Sequence, residues 1–158
     1  MKYFSIEEFT RSATAVRKGI DNTPSQYQID NATEFINNML DPLREGWAMY
    51  CNMNGLGSGA ITVTSGIRSK ALNEAIGGSK TSAHYHGWAV DMVPANGFMS
   101  DFKKFCITWL HDKQFDQLIS EDEDKNGIPG WIHLGYKNGA GAQRRQMLIM
   151  KNNKYYYM

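Results

Sequence analysis

The most constraining feature of the chain is an acid inside an apolar run. Asp91 stands in Trp88-Ala89-Val90-Asp91-Met92-Val93, which reads as a strand ended by Pro94. Aspartate is disfavoured in a strand interior, and a buried carboxylate with no partner is worse still. A cation beside Asp91 would solve both problems. Just upstream, Ser82-Ala83-His84-Tyr85-His86-Gly87 offers an imidazole. Gly87 lets the backbone turn back tightly, so His84 and Asp91 can converge on one ion. They make two ligands, whereas a catalytic zinc takes three and keeps an open position.

His133 is the third candidate. It sits in a second apolar strand, between Ile132 and Leu134 in Trp131-Ile132-His133-Leu134-Gly135-Tyr136. The chain has 4 histidines. His111 falls near the end of a helical run, where a positive side chain suits the macrodipole, and reads as a surface residue. His86 lies two residues from His84. On an extended segment both would point the same way, so His86 could compete for the metal, although a partly exposed place behind the ligands or facing a substrate is favoured. A lone strand histidine is commonly a core residue, so the case for a metal rests on the constellation.

The chain has 158 residues, 42% hydrophobic and 21% charged, which suits one domain with a sizeable core. Its 17 basic and 16 acidic residues leave a net charge of +1, so no global field points to nucleic acid or an acidic membrane. No apolar run approaches the ~20 residues of a membrane span. Met1-Lys2-Tyr3-Phe4-Ser5-Ile6 lacks a signal peptide's apolar region, so synthesis in a cytoplasm is expected. Cys51 and Cys106 form no metal or redox spacing and are expected to be reduced and buried.

Ser5 and Glu8 form a capping box that opens a short helix to about Thr10. Ile20 to Pro24 reads as a loop. From Gln28, Ile29, Ala32, Phe35, Ile36, Met39, Leu40 and Leu43 recur at helical steps, with a kink or break expected at Pro42. Strands are predicted at Ala60–Gly66, at the Asp91 run, from Phe115 to Ser120 and at the His133 run. A short helix is predicted from Lys70 to Ile76 and a longer one from Met99 to Lys113. A terminal hairpin turns at Asn152-Asn153. Helices first and strands later predict an α+β fold, with a central antiparallel sheet carrying the site, N-terminal helices and one later helix beside it.

Two other stretches have competing readings. Asp122, Asp124, Asn126 and Gly127 match the first half of a calcium loop, but the closing glutamate position holds His133 and Pro129 interrupts, which favours a plain acidic turn. Near the end, Arg144, Arg145, Lys151 and Lys154 interleave with Tyr155, Tyr156 and Tyr157. They read as an edge hairpin guarded by charge, or as a surface for an anionic polymer.

The run from Ser82 to Asp91 matches the SxHxxGxAxD signature of the M15 zinc peptidases, the D-alanyl-D-alanine carboxypeptidase and dipeptidase group. The hedgehog signalling domain has a similar metal site. Further segments resemble the M15A-like subfamily in order: FSIEEFTRS, GIDNTP, LDPLREGW, ITVTSGIRSKALNEAIGGS, FDQLISE and WIHLGY. The resemblance covers roughly residues 3 to 136. It implies a single zinc peptidase domain over 1–158, with the motifs at about 60–136. It implies one Zn²⁺ held by His84, Asp91 and His133, with Arg68 and Ser82 on the substrate. A guanidinium suits that place, since it can hold a carbonyl or carboxylate through two hydrogen bonds and steady developing charge.

Several M15 members carry a carboxylate three residues before the last histidine, where this chain has Gly130. The subfamily places a glutamate after the FDQLI strand, so Glu121 is the expected general base, with Asp122, Glu123 and Asp124 as alternatives. Tyr85, His86, Trp88 and Tyr136 are expected along the cleft. The implied activity is hydrolysis of peptidoglycan peptides by a monomer acting on the cell wall, as a lysin released through a separate pore or carried by a virion. The rival reading is a zinc-containing binding module of the hedgehog kind, which Gly130 keeps open.

Overall fold

The computed structural model describes residues 1–158. The first helix begins at its expected cap. Ser5 and Glu8 complete a capping box on α1 (Ile6–Thr10), and Ser25 and Gln28 do the same on α3 (Gln26–Phe35). Between them lies α2 (Ala13–Lys18), which is not among the predicted helices; Ser12 caps it and Gly19 closes it at φ 64°. At Pro42, where a kink or a break is expected, the helix is not interrupted but changes its winding. A π-helical turn (Ile36–Leu40) links α3 to α4 (Asp41–Asn54), and the Asp41 amide bonds to the Ile36 carbonyl. The wider turn relieves the clash a proline makes with the preceding turn of a regular helix.

The six strands form one sheet in the order β1-β2-β4-β3-β5-β6. They are β1 (Ile61–Ser65), β2 (Ala89–Pro94), β3 (Gln117–Glu121), β4 (Trp131–Gly135), β5 (Gln146–Lys151) and β6 (Lys154–Tyr157). The fold is α+β, as predicted, and four of its strand pairs are antiparallel. The sheet is nevertheless mixed, because β3 and β5 run parallel. The segment after β4 crosses back before entering β5, and the amides of Arg145 and Gln146 bond to the carbonyls of Phe115 and Asp116.

Strand alternation divides the sheet into two faces. Val90, Met92, Leu118, Ile132 and Leu134 point into one cluster of 23 buried residues. Phe35, Leu40, Trp47, Phe102 and Leu110 come from the helices, including α6 (Met99–Leu110), to meet them, while the short α5 (Lys70–Ala75) follows β1. The opposite face carries Asp91, Ile119, Glu121 and His133. The apolar layer thus holds rigid the strands on which the polar residues stand. Cys51 and Cys106 are free and buried on the apolar side.

Candidate metal centre

Asp91 and His133 are direct partners across the β2/β4 ladder. Residues opposite one another on adjacent strands project from the same face, so the register alone brings carboxylate and imidazole together. The His133 Nδ1 lies 2.9 Å from Asp91 Oδ1, and His84 Nε2 lies 3.4 Å from the same oxygen. One ligand atom from each of His84, Asp91 and His133 falls within 4.8 Å of the others.

His84 comes from a series of tight turns rather than an extended segment. Amides of Tyr85, His86 and Gly87 bond back to the carbonyls of Ser82, Ala83 and His84. Gly87 sits at φ +76°, and a Cβ there would approach the Gln28 carbonyl to 2.6 Å. The turn therefore needs glycine twice over, for conformation and for space. Gln28 in turn donates to the carbonyls of Arg68 and Tyr85, which ties α3 to both loops of the site.

The His84 ring is oriented by its other nitrogen. Nδ1 donates to the Gly66 carbonyl at 2.7 Å, which leaves Nε2 as the free lone pair facing Asp91. A backbone carbonyl in that role fixes the tautomer and the ring plane, as it does around metal-bound histidines. Gly66 cannot be exchanged without movement, since a Cβ there would sit 2.5 Å from the Phe9 carbonyl.

Burial alone would push the Asp91 carboxyl up, but His84 and His133 outweigh it and hold it well below the usual range. Burial lowers the His84 imidazole, against the pull of Asp91, and so favours the neutral ligand form. Two imidazoles and one carboxylate, converging and nearly enclosed, form a donor set suited to a divalent metal such as zinc. The residues fit the ion.

Arg68 approaches from the β1 side. Its Nη2 lies 3.3 Å from Asp91 Oδ2, the oxygen turned away from the histidines, and its Nε donates to Ser65 Oγ at 3.2 Å. Ser82 faces the same space, and its Oγ accepts from the His84 amide at 3.3 Å. Both line a cleft of about 490 Å³ together with the triad, Glu121, Trp131 and Ile119. Burial pushes the Glu121 carboxyl up, and the neighbouring Asp91 adds to this against the opposing His133.

The other three carboxylates of the acidic turn go elsewhere. Asp122 is exposed at φ 51°. Glu123 is bound by Lys103 and by Ser120, whose Oγ donates to it at 2.6 Å. Asp124 Oδ1 accepts the amides of Asn126 and Ile128. These fates also account for the calcium-like spelling: the side chains close a turn instead of converging.

Four expected cleft residues lie outside the cleft. The turn at Ser82–Gly87 rotates His86 away from His84; its Nδ1 meets the Tyr27 hydroxyl at 3.0 Å and its ring abuts Gly139. Tyr136 and Trp88 share the phase of Leu134 and Val90, so they face the core, where Tyr136 stacks on Phe35 at 5.5 Å. Tyr85 borders a separate pocket with Lys70 and Glu74. The strand phase available in the sequence would have excluded Tyr136 and Trp88 from the face of His133 and Asp91. Asp116, Asn138, Arg144 and Tyr155 were not anticipated in the cleft, yet they line it. Burial, then the nearby Glu121 and Asp91 carboxylates, push the Tyr155 phenol up.

A carboxylate-histidine cluster with an arginine and a further carboxylate in one cleft defines a candidate metal-dependent hydrolytic site. The family profile described as Peptidase M15 matches residues 2–125. The chain belongs to that family, whose members are metallopeptidases. The match takes in Arg68, Ser82, His84, Asp91 and Glu121 and ends before β4, so His133 joins the site through the β2/β4 register. No curated protein matches the chain. No helix is long and apolar enough to cross a membrane.

Proposed function

We propose that this protein is a zinc-dependent peptidase that cleaves peptide bonds in peptidoglycan stems or cross-links. The observation that carries this reading is the convergence of His84, Asp91 and His133 beside Glu121 in one open cleft. His84 Nε2, Asp91 Oδ1 and His133 Nδ1 would hold the ion. Zinc, when bound, lowers the pKa of its water towards ~7 and polarises a carbonyl.

The chain's own groups then have distinct tasks. Glu121 takes a proton from the attacking water and returns it to the leaving amine, a task for which its raised affinity for protons suits it. Arg68, held by Ser65 and Asp91, keeps a guanidinium at the rim, where it steadies charge on the scissile carbonyl oxygen or binds a substrate carboxylate. Ser82 can donate its hydroxyl proton to the peptide while its oxygen accepts the His84 amide. The site of action on this reading is the cell wall.

The test is release of new amino groups from purified peptidoglycan by zinc-loaded and chelated protein, with the freed residues identified. Zinc-dependent release supports the reading and names the bond. A zinc-loaded protein inert on several wall chemistries would reject it in favour of a hedgehog-like binding module.

A further inference from the structure

The C-terminal hairpin lies outside the matched residues 2–125, and its role follows from strand register. On β5, Leu148 pairs with Ile119 of β3 on one side and with Tyr157 of β6 on the other. Met150 pairs with Tyr155. Alternation then puts Tyr155 on the face that carries Glu121 and His133, and Tyr156 on the opposite face. Tyr155 lines the cleft with both. It is exposed, and its hydroxyl has no hydrogen-bond partner within the protein. Strand order sets its position relative to Arg68. That arginine follows β1 at one edge of the sheet, Tyr155 is on β6 at the other, and Asp91 on β2 and His133 on β4 lie between.

We propose that Tyr155 is a substrate-binding residue, whose hydroxyl donates a hydrogen bond to a backbone carbonyl of the bound peptide on the side of the metal centre away from Arg68. The proposal rests on the peptidase reading. A phenol suits the role, because its ring is rigid and its reach is long. A phenol keeps its proton at neutral pH and can therefore donate. A peptide spanning the cleft would then be held at both ends, by a guanidinium and by a phenol.

The experiment compares zinc-loaded wild type, Tyr155→Phe and Tyr156→Phe. Turnover of a stem pentapeptide is measured, and so is its equilibrium binding in a Glu121→Gln background that retains the peptide. Loss of one hydrogen bond is expected to raise KM and Kd about tenfold, with kcat changed less than about threefold. Tyr156→Phe should match wild type, and all three should melt together. Unchanged binding by Tyr155→Phe overturns the proposal, as does equal weakening by Tyr156→Phe, which would make the effect one of hairpin structure. Should wild type cleave nothing, the peptidase reading falls alone: weaker peptide binding by Tyr155→Phe still upholds the contact, and equal or absent binding sinks it.

Discussion

The triad and the acidic turn both gather ionisable side chains, and the backbone treats them in opposite ways. At the triad, a distant His133 joins His84 and Asp91 from one short segment, and the three converge within 4.8 Å. In the turn, four consecutive acids diverge: Glu121 into the cleft, Asp122 into solvent, Glu123 onto Lys103 and Ser120, and Asp124 onto turn amides. Local charge density is therefore a poor guide to a metal site. What matters is whether strand register and turns aim the donors at one point, and only the β2/β4 ladder with the Gly87 turn does so.

The largest expected effects test that convergence. His84→Ala, Asp91→Ala and His133→Ala should each lose stoichiometric zinc by elemental analysis and lose peptidase activity with it. Retention of full zinc by all three would dissolve the contrast with the turn. Next comes Glu121→Gln, which keeps size and removes the proposed base. It should cost on the order of 10²–10⁴-fold in rate with zinc content intact. Asp122→Asn and Asp124→Asn should stay within about twofold of wild type, as expected of surface changes away from the reacting groups. A full-rate Glu121→Gln beside a dead Asp122→Asn would reverse the assignment.

The triad was legible in the sequence for a physical reason. Asp91 and His133 break two apolar strands, and buried polar groups must be partnered, so each advertised a site. Arg68 and Ser82 came from the resemblance. Their placement depends on details without a sequence signal, such as the Arg68 amide bonding to the His84 carbonyl. His86 was misplaced because the reading assumed an extended segment where the chain makes successive turns. The parallel β3/β5 pair and the arrival of Tyr155 in the cleft were hidden for another reason. Pairing between strands separated by a crossover is set by long-range packing, and the alternation within each strand says nothing of its neighbour. Helix α2 is short and has only Ser12 and Gly19 to mark it.

Arg68 probes the border between the two regions, since both Asp91 and Glu121 act on it. Burial lowers the affinity of its guanidinium for protons, while those two carboxylates oppose the change. Lysine would keep the charge and lose the planar fork. Arg68→Lys should therefore fold and bind zinc. Its rate on wall peptide should fall by ~10²–10³-fold, the cost typical of a lost oxyanion donor. An Arg68→Lys protein as fast as wild type would remove Arg68 from the chemistry and leave it as a partner for Asp91.

The smallest effect, and the sharpest on the turn itself, concerns Glu123. Its carboxylate is almost enclosed, with 6% side-chain exposure against 18% for Lys103, so this ion pair is better shielded than a surface one. Ser120 Oγ also donates to Glu123, and Lys103 Nζ reaches on to the Gly127 carbonyl at 3.1 Å. The cluster ties α6 to the loop between β3 and β4, which makes its contribution one of stability. Glu123→Gln keeps an acceptor for both partners and removes the charge, so it should cost about 1–2 kcal/mol. For a chain of this size that corresponds to a fall of about 2–8 °C in Tm. Zinc content should not change, and kcat/KM should stay within about twofold at temperatures where the protein is folded. A Glu123→Gln protein that melts like wild type but cleaves a hundredfold more slowly would place the working carboxylate at 123, and the division of labour along the turn would have to be redrawn.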